Sequence, residues 1–527
     1  MNSTVQQRRG TVEARATQTA QSAQGARAAR GAGPLPSRRA VLAGAAAGAA
    51  LGGGCPFSGA SAAAPTAASA GAGAGRHGSA LRGLDIALDN RQAQARFGLM
   101  FPKAPAFAPS DALLGDLART MTDLRVPGTD PSTTDEQDNP AVPSGYTFFG
   151  QFVDHDMTRD TTPLSEQAQD PRATKNFDSP WFDLRSVYGR GPALDPQLYD
   201  PARPGRMLLG GGEVEDLPRD AAGTALIGDP RNDENLLVAQ VHLLFLKLHN
   251  HFVDAGLDHA AARQQTRWHY QHLIVEDFLP RLVDPDLVRS LLTTTKKGTT
   301  STGTFYKPRN KSKPMVPVEY SGAAYRFGHS MVRSEYEVHQ GSIVPIFASD
   351  GRDLRGGRPL PAWAQVDWNY FAEVPGVSAP DDRNVTRRFD TRVAMPLHDL
   401  PGSVAASGPS SLVVRNLQRG VRYGLPSGQA VARAMGLAPL SNARLGLTDP
   451  AWRDEAPLWF YVLKEAELQS GGTRLGAVGG RIVAETVLGI LALDPTSYFQ
   501  APGFRPVRGT WTLGALADLV GARVDRP

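Results

Sequence analysis

The chain has 527 residues, 41% hydrophobic and 20% charged, which excludes a disordered or fibrous protein and allows one large core or two to three ordinary domains. Its formal charge of +4 sits unevenly: residues 1–54 hold seven Arg against one Glu, which leaves the remainder at −2. The body is therefore close to neutral, and no nucleic-acid partner is expected of it.

The first segment, residues 1–75, reads as a leader. Ser37-Arg38-Arg39-Ala40-Val41-Leu42 precedes an Ala/Gly/Leu run to about Gly54, followed by small residues with cleavage options such as Ala68-Ser69-Ala70. Paired arginines ahead of a short apolar run resemble a twin-arginine export signal, which carries proteins across a membrane already folded. The mature protein is expected to be soluble and exported, periplasmic or extracellular. No other apolar run approaches the ~20 residues of a membrane helix, so no integral membrane segment is expected. The only cysteine, Cys55, belongs to this leader in a poor lipobox. Without it the body has no disulfide, zinc–thiolate site, iron–sulfur cluster, thiolate-ligated haem or Cys nucleophile.

Residues 76–527 are expected to form one domain, with no long linker and no fixed-period repeat. In chain order, helical patterning covers Asp111–Arg125, Tyr146–Asp156, Glu234–Ala255, Arg263–Leu282, Glu319–Val332, Gln429–Met435, Leu458–Gln469 and Gly479–Ala492. Strand-like alternation is scarce. Long Pro/Gly/Asp-rich connections, Pro127–Ser144 and Ser349–Arg383, separate the helices, and the basic stretch Thr293–Pro314 reads as a solvated surface loop. The fold class is mainly α: one large helical domain with long loops and little β.

With cysteine excluded, candidate metal ligands are the histidines and acids. His242 and His249 share one face of an almost uniformly apolar helix and read as satisfied core residues. His251, His259, His269 and His272 fit no zinc spacing and read as structural or exposed. Two histidines differ. In Phe148-Phe149-Gly150-Gln151-Phe152-Val153-Asp154-His155-Asp156, Gln151 and His155 share a helical face among aromatics, where a His flanked by acids is costly to bury unpartnered. In Tyr325-Arg326-Phe327-Gly328-His329-Ser330, Gly328 leaves room beside the imidazole for something flat and large.

Taken with Arg231-Asn232-Asp233-Glu234 and Asn416-Leu417-Gln418-Arg419, the order and spacing of these motifs resemble the haem peroxidases of the myeloperoxidase type, the peroxidase–cyclooxygenase superfamily, in a bacterial form. The resemblance runs through Trp459–Ala466 and Gly479–Glu485. It implies a haem-peroxidase domain, haem b as cofactor, and H₂O₂ with a small reducing substrate as partners. His329 corresponds to the proximal ligand of the haem iron, and Asn416 to the group receiving its other ring N–H. His155 corresponds to the distal base, Arg231 to the cation that stabilises charge as the O–O bond breaks, and Gln151 to the residue placing distal water and halide. Asp154 and Glu234 match the carboxylates that esterify haem methyls, so covalent attachment is implied; Asn235 stands where myeloperoxidase has the methionine of a third link. Arg326 and Arg419 fall in the haem surroundings, with Arg419 a propionate partner. Asp156, Ser179 and Asp183 match calcium ligands, although Arg185 replaces the usual Ser or Asp with a guanidinium that can stand in for the cation's charge. Val421-Arg422-Tyr423 departs from the animal Arg-Asp-His.

Three functions follow from the resemblance. The first is a peroxidase oxidising halide, thiocyanate or small organic donors. The second is a haem-dependent fatty-acid dioxygenase of the same fold, disfavoured because its radical Tyr lies three residues before the proximal His, where this chain has Arg326. The third is a non-catalytic haem-binding surface or adhesion protein, which the intact set His155, Arg231 and His329 argues against. The electron donor and the oligomeric state are not legible in the sequence.

Overall fold

The computed structural model describes residues 96–123, 136–158, 180–311, 314–405 and 408–525. The predicted leader with Cys55, and Ser179 of the predicted calcium set, lie outside the described residues.

Seven long helices carry the fold: α1 (Asp111–Thr120), α2 (Gly145–Met157), α3 (Leu236–Asp254), α4 (His259–Leu273), α5 (Leu412–Arg422), α6 (Leu458–Ser470) and α7 (Ala477–Leu493). The described strands form only two-stranded ladders, among them Asp138–Pro143 with Val385–Arg387. The mainly helical expectation therefore holds. Local chemistry sets most helix starts: the side chains of Ser110, Asn235, Asp258 and Ser411 each accept a backbone N–H of the first turn.

An aromatic cluster fixes α2. Phe149 and Phe152 stack on Phe245 of α3 at 6.3 and 5.0 Å between centroids, and Tyr270 of α4 meets Phe245 edge-on at 5.3 Å. α6 and α7 pack closely through Gly479, where a Cβ would lie 2.6 Å from Val462. The buried carboxylate of Glu465 accepts the first N–H groups of α7, from Val478 and Gly479.

Several expectations need correction. The stretch Glu319–Val332 is not one helix: it is a short turn, Val318–Ser321, then a 3₁₀ turn, Ala324–His329. At Gly322 a Cβ would lie 2.8 Å from Tyr423, so only glycine lets α5 approach, and the chain breaks there. Arg263–Leu282 starts earlier, at His259, and passes through a π turn, Ile274–Phe278. Pro280 follows at once; it has no N–H to give an α-helical ladder, and the widened turn absorbs that loss. α1 stops at Thr120, because Thr122–Asp123 pairs with Val393–Ala394. Within Thr293–Pro314, expected as loop, Leu292–Thr295 and Gly298–Ser301 form a hairpin.

Helix α3 also meets the length and hydropathy of a membrane span, which the sequence reading does not anticipate; 83% of that window is buried inside the protein, as a core helix would be. His249 is satisfied as expected, by the Tyr188 hydroxyl and the Gly205 carbonyl. His242 is only half satisfied: Nδ1 bonds Asn232, and Nε2 is buried without a partner among the described residues.

Candidate active site

A mostly apolar pocket, about 600 Å³ of space counting its opening to solvent, lies between α2 and the 3₁₀ turn Ala324–His329. Gly150, Gln151 and Asp154 line it from α2, and Tyr325, Arg326, Gly328 and His329 from the turn. Of the predicted site residues, Gln151, Asp154, Arg326 and His329 thus share one wall space. Phe278 and Tyr325 close over Gly150, where a Cβ would meet the Phe278 ring at 3.0 Å. A Cβ on Gly328 would meet nothing within 4 Å, which is open room beside the imidazole.

His329 ends the 3₁₀ turn with its ring buried. Burial, then the charges of Arg326 and Arg419, hold its pKa well below the usual histidine value, so the ring is neutral. Its Nδ1 lies 2.8 Å from the Asn416 amide nitrogen, which leaves Nε2 as the nitrogen available to a metal. Asn416 sits within α5, and its oxygen accepts from Arg326 Nη1 at 3.4 Å. The contact joins the two residues the sequence pairs, but through the amide nitrogen. A half-turn of the amide exchanges its ends, and only the oxygen-first orientation accepts Nδ1–H from a ring bound to metal through Nε2. Arg419, one turn further on, is buried with Nε unpartnered among the described residues.

On α2, His155 is 1% exposed. Burial first, then Arg231, lowers its pKa to about 4, so the ring is a neutral base at neutral pH. Its Nδ1 lies 2.8 Å from Asn232 Oδ1, and Nε2 is buried without a partner among the described residues. The Gln151 amide nitrogen is buried and unpartnered in the same way. Arg231 is no surface ion pair: it binds the buried Asp229 at 2.7 Å and donates from Nη2 to the His155 carbonyl at 2.8 Å. Glu234 follows it at the approach to α3, where its carbonyl accepts from Gly356 N at 2.9 Å.

Two of the predicted calcium residues, Asp156 and Asp183, are among the described ones. Asp156 accepts from Leu184 N at 3.0 Å and from the backbone and hydroxyl of Ser186, both at 3.4 Å. It holds a turn in which Phe182 and Leu184 take left-handed backbone conformations, φ 49° and 56°. Among the described residues no group of three His, Cys, Asp or Glu gathers as a metal site.

Sequence reasoning leaves out two residues of this site. Asn232 holds the His155 ring; it lies inside the Arg231–Glu234 motif, next to a residue already singled out, which is the signal that points to it. Tyr146 lines the cavity and donates its hydroxyl to Asp277; no motif marks it.

The donor set suits a haem. A cavity that is apolar apart from a few polar groups, a neutral imidazole on one wall, and unpartnered buried polar atoms on His155, Gln151 and Arg419 fit a flat, largely apolar ligand carrying a metal and charged edges.

Comparison with known proteins gives the same direction. The sequence profile of a family described as animal haem peroxidase matches residues 157–444, a stretch that holds Arg231, His329 and Asn416 and begins just after His155. Thyroid peroxidase of Rattus norvegicus is 25% identical over 194 residues, which are 31% of this chain and 20% of that protein. The chain thus spans about a fifth of the length of that curated relative. Among solved structures, peroxidase A of Dictyostelium discoideum shares the fold with a TM-score of 0.56 at 17% identity, over 82% of this chain and 93% of the other. A fatty acid alpha-dioxygenase of Arabidopsis thaliana gives 0.51 at 16% identity, over 80% and 75%.

Proposed function

The chain belongs to the animal haem peroxidase family, and from that premise we propose that it is a haem peroxidase that reduces H₂O₂ and oxidises a small donor. One observation carries the reading: His155, with a buried, neutral ring whose Nε2 has no partner among the described residues, sits on α2, the helix that lines the cavity through Gln151 and Asp154, while the other wall holds a neutral His329.

Bound through His329, haem would supply the iron at which peroxide is split and would pass on the electrons that the donor gives up. His155 takes the proton of the arriving peroxide at Nε2 and returns it to the departing oxygen, a role worth ~10²–10⁴-fold in general acid–base catalysis. Burial suits it to this, since a ring already protonated could not act. Arg231 fixes the His155 backbone and sets a positive charge near the ring; in this reading it stabilises the negative charge that develops on the oxygen. Gln151 orders water, Arg326 and Arg419 belong to the haem surroundings, and Arg419 is the proposed partner of a propionate. Asp154 and Glu234 are the proposed points of covalent attachment; Asp154 lines the cavity. Calcium at Asp156, Ser179 and Asp183 rests on the sequence correspondence alone, as does export by the twin-arginine segment. Halide, thiocyanate and small organic compounds remain the proposed donors.

A dioxygenase reading has one point in its favour: Tyr325 does line the cavity, although it stands four residues before His329 and its hydroxyl is bonded to the Gly150 carbonyl at 3.1 Å. The visible spectrum of the haem-loaded chain, before and after one equivalent of H₂O₂, tests the proposal. A Soret band that shifts within seconds, and ceases to do so in His155→Leu, is the expected result. A Soret band indifferent to peroxide but a chain that takes up O₂ with a fatty acid would favour the dioxygenase. No Soret band with haem supplied would overturn the assignment of His329.

A further inference from the structure

We infer that Asn232 is a positioning residue that sets the tautomer of His155 by bridging it to a second buried histidine, His242; the inference rests on the reading of His155 as the base. All three side chains are withdrawn from solvent, with Asn232 and His242 at 0% and His155 at 1% exposure. Asn232 Oδ1 lies 2.8 Å from His155 Nδ1, and Asn232 Nδ2 lies 3.0 Å from His242 Nδ1.

An amide has an acceptor at one end and donors at the other. Held between two Nδ1 atoms, it forces the rings into opposite tautomers: one carries its proton on Nδ1, the other on Nε2. With the carbonyl toward His155, that ring donates Nδ1–H and keeps its lone pair on Nε2, the nitrogen left without a partner among the described residues. This is the only tautomer that can receive a proton there. The reversed amide would place a hydrogen on Nε2 and disable the base.

Protonation reinforces the same orientation. Once His155 gains a proton at Nε2 it is a donor at both nitrogens, and only a carbonyl can stay opposite Nδ1. His242 closes the other side of the clamp. It projects from α3, edge-on to Phe152 of α2 at 5.9 Å, so the amide's donor end is tied to the helix that α2 packs against. A single 3₁₀ turn, Pro230–Asp233, delivers both the Arg231 bond to the His155 carbonyl and the Asn232 bond to its ring. The neighbouring residues thus fix the backbone and the ring of the base together.

The test uses HCN, which gives its proton to a distal base as cyanide binds ferric haem and involves no O–O cleavage. In stopped-flow measurements on the haem-loaded full chain, Asn232→Leu should slow HCN association ~10–100-fold, the range seen when outer-shell partners are lost, with haem content unchanged. Asn232→Asp keeps an acceptor opposite His155 and should return the rate to within a few-fold of the parent. Independently, nitrogen NMR of the histidine-labelled parent chain should show the His155 proton on Nδ1 and the His242 proton on Nε2. A parent-like HCN rate in haem-loaded Asn232→Leu, or a parent spectrum with the His155 proton on Nε2, would overturn the inference. If the parent binds HCN slowly while the spectrum shows the expected tautomers, the bridge stands and the reading of His155 as a base fails.

Discussion

Replacing Asp138 with Ala should destabilise the protein by several kcal/mol and loosen the cavity at the same time. The carboxylate is 2% exposed and receives Arg333 Nη1 at 2.6 Å and Arg387 Nη1 at 2.8 Å, from guanidinium groups that are also almost fully buried. Arg387 has a second acid, Asp123, at 2.7 Å, so it keeps a partner when Asp138 is lost. Breaking a buried pair by removing one member costs about 3–5 kcal/mol, because the remaining charge is left in low dielectric. The second carboxylate puts this case at the lower end, about 3 kcal/mol. Asp138→Asn preserves an acceptor oxygen but removes the charge, and should cost about 1.5–3 kcal/mol, as for a hydrogen bond to a charged group. Position gives the network its further effect. Asp138 lies in the strand that leads into α2, and Arg333 follows four residues after His329, so the ion group joins the two cavity walls. The assay is urea unfolding at fixed pH, read as a fall in midpoint at unchanged slope, with haem retention after gel filtration measured alongside. The loss should change little between low and high salt, since a buried group is weakly screened. An Asp138→Ala variant within 0.5 kcal/mol of the parent would refute the reasoning.

Four further outcomes are expected. The peroxide reaction should be nearly flat from pH 7 to about 5 and fall below about pH 4, where the buried His155 gains its proton; a fall centred near 6.5 would show an ordinary exposed ring. The same shift makes stability fall as pH drops from 6.5 toward 4, because the unfolded chain binds the proton first; at 1.36 kcal/mol per unit His155 contributes at most about 3 kcal/mol, and His242, lowered to about 3, at most about 5 kcal/mol, the last of it lost only between pH 4 and 3. Proton uptake on unfolding at pH 5 measures it. Gly356→Ala would set a Cβ 1.8 Å from the Asp233 carbonyl oxygen, so it should displace the Arg231–Glu234 segment and lower haem retention more than Gly357→Ala, whose Cβ meets nothing, although its backbone φ of +70° carries its own strain. Asp154→Asn should release part of the haem to acidic organic solvent if an ester forms at that residue; haem fully extractable from the parent would remove the covalent proposal.

Much of the distal wall was legible in the sequence, and the reason is local. The aromatic run before His155 has helical spacing, and its partners on α3 sit in an apolar stretch bounded by Asn235 and Ala255. The proximal side was less so. Asn416 reads as a candidate by order in the chain, yet the helix that carries it, α5, is missing from the helices expected, although Val413, Leu417 and Val421 share one face and Arg415, Arg419 and Arg422 the opposite one, which is a helical pattern. Ser411, which accepts the Val414 N–H, is the start signal that could have revealed it. The break at Gly322 depends on the approach of Tyr423, about a hundred residues later, and no local pattern encodes such a contact. The Asn232 bridge has the same character: each residue is ordinary alone, and the chemistry appears only when α2, α3 and the turn between them meet.

Apart from Phe278, the cavity is walled by two stretches far apart in the chain, Tyr146–Asp154 and Ser321–Val332, with α3 and α4 between them in sequence. A ligand gripping both walls acts on the chain as a reversible cross-link. It binds only the state in which the walls face each other, and so adds about 2.7 kcal/mol to stability at a hundredfold excess over its dissociation constant. Cofactor supply then governs how much of the chain survives as well as how much is active, and thermal midpoint against haem concentration becomes a titration of the site.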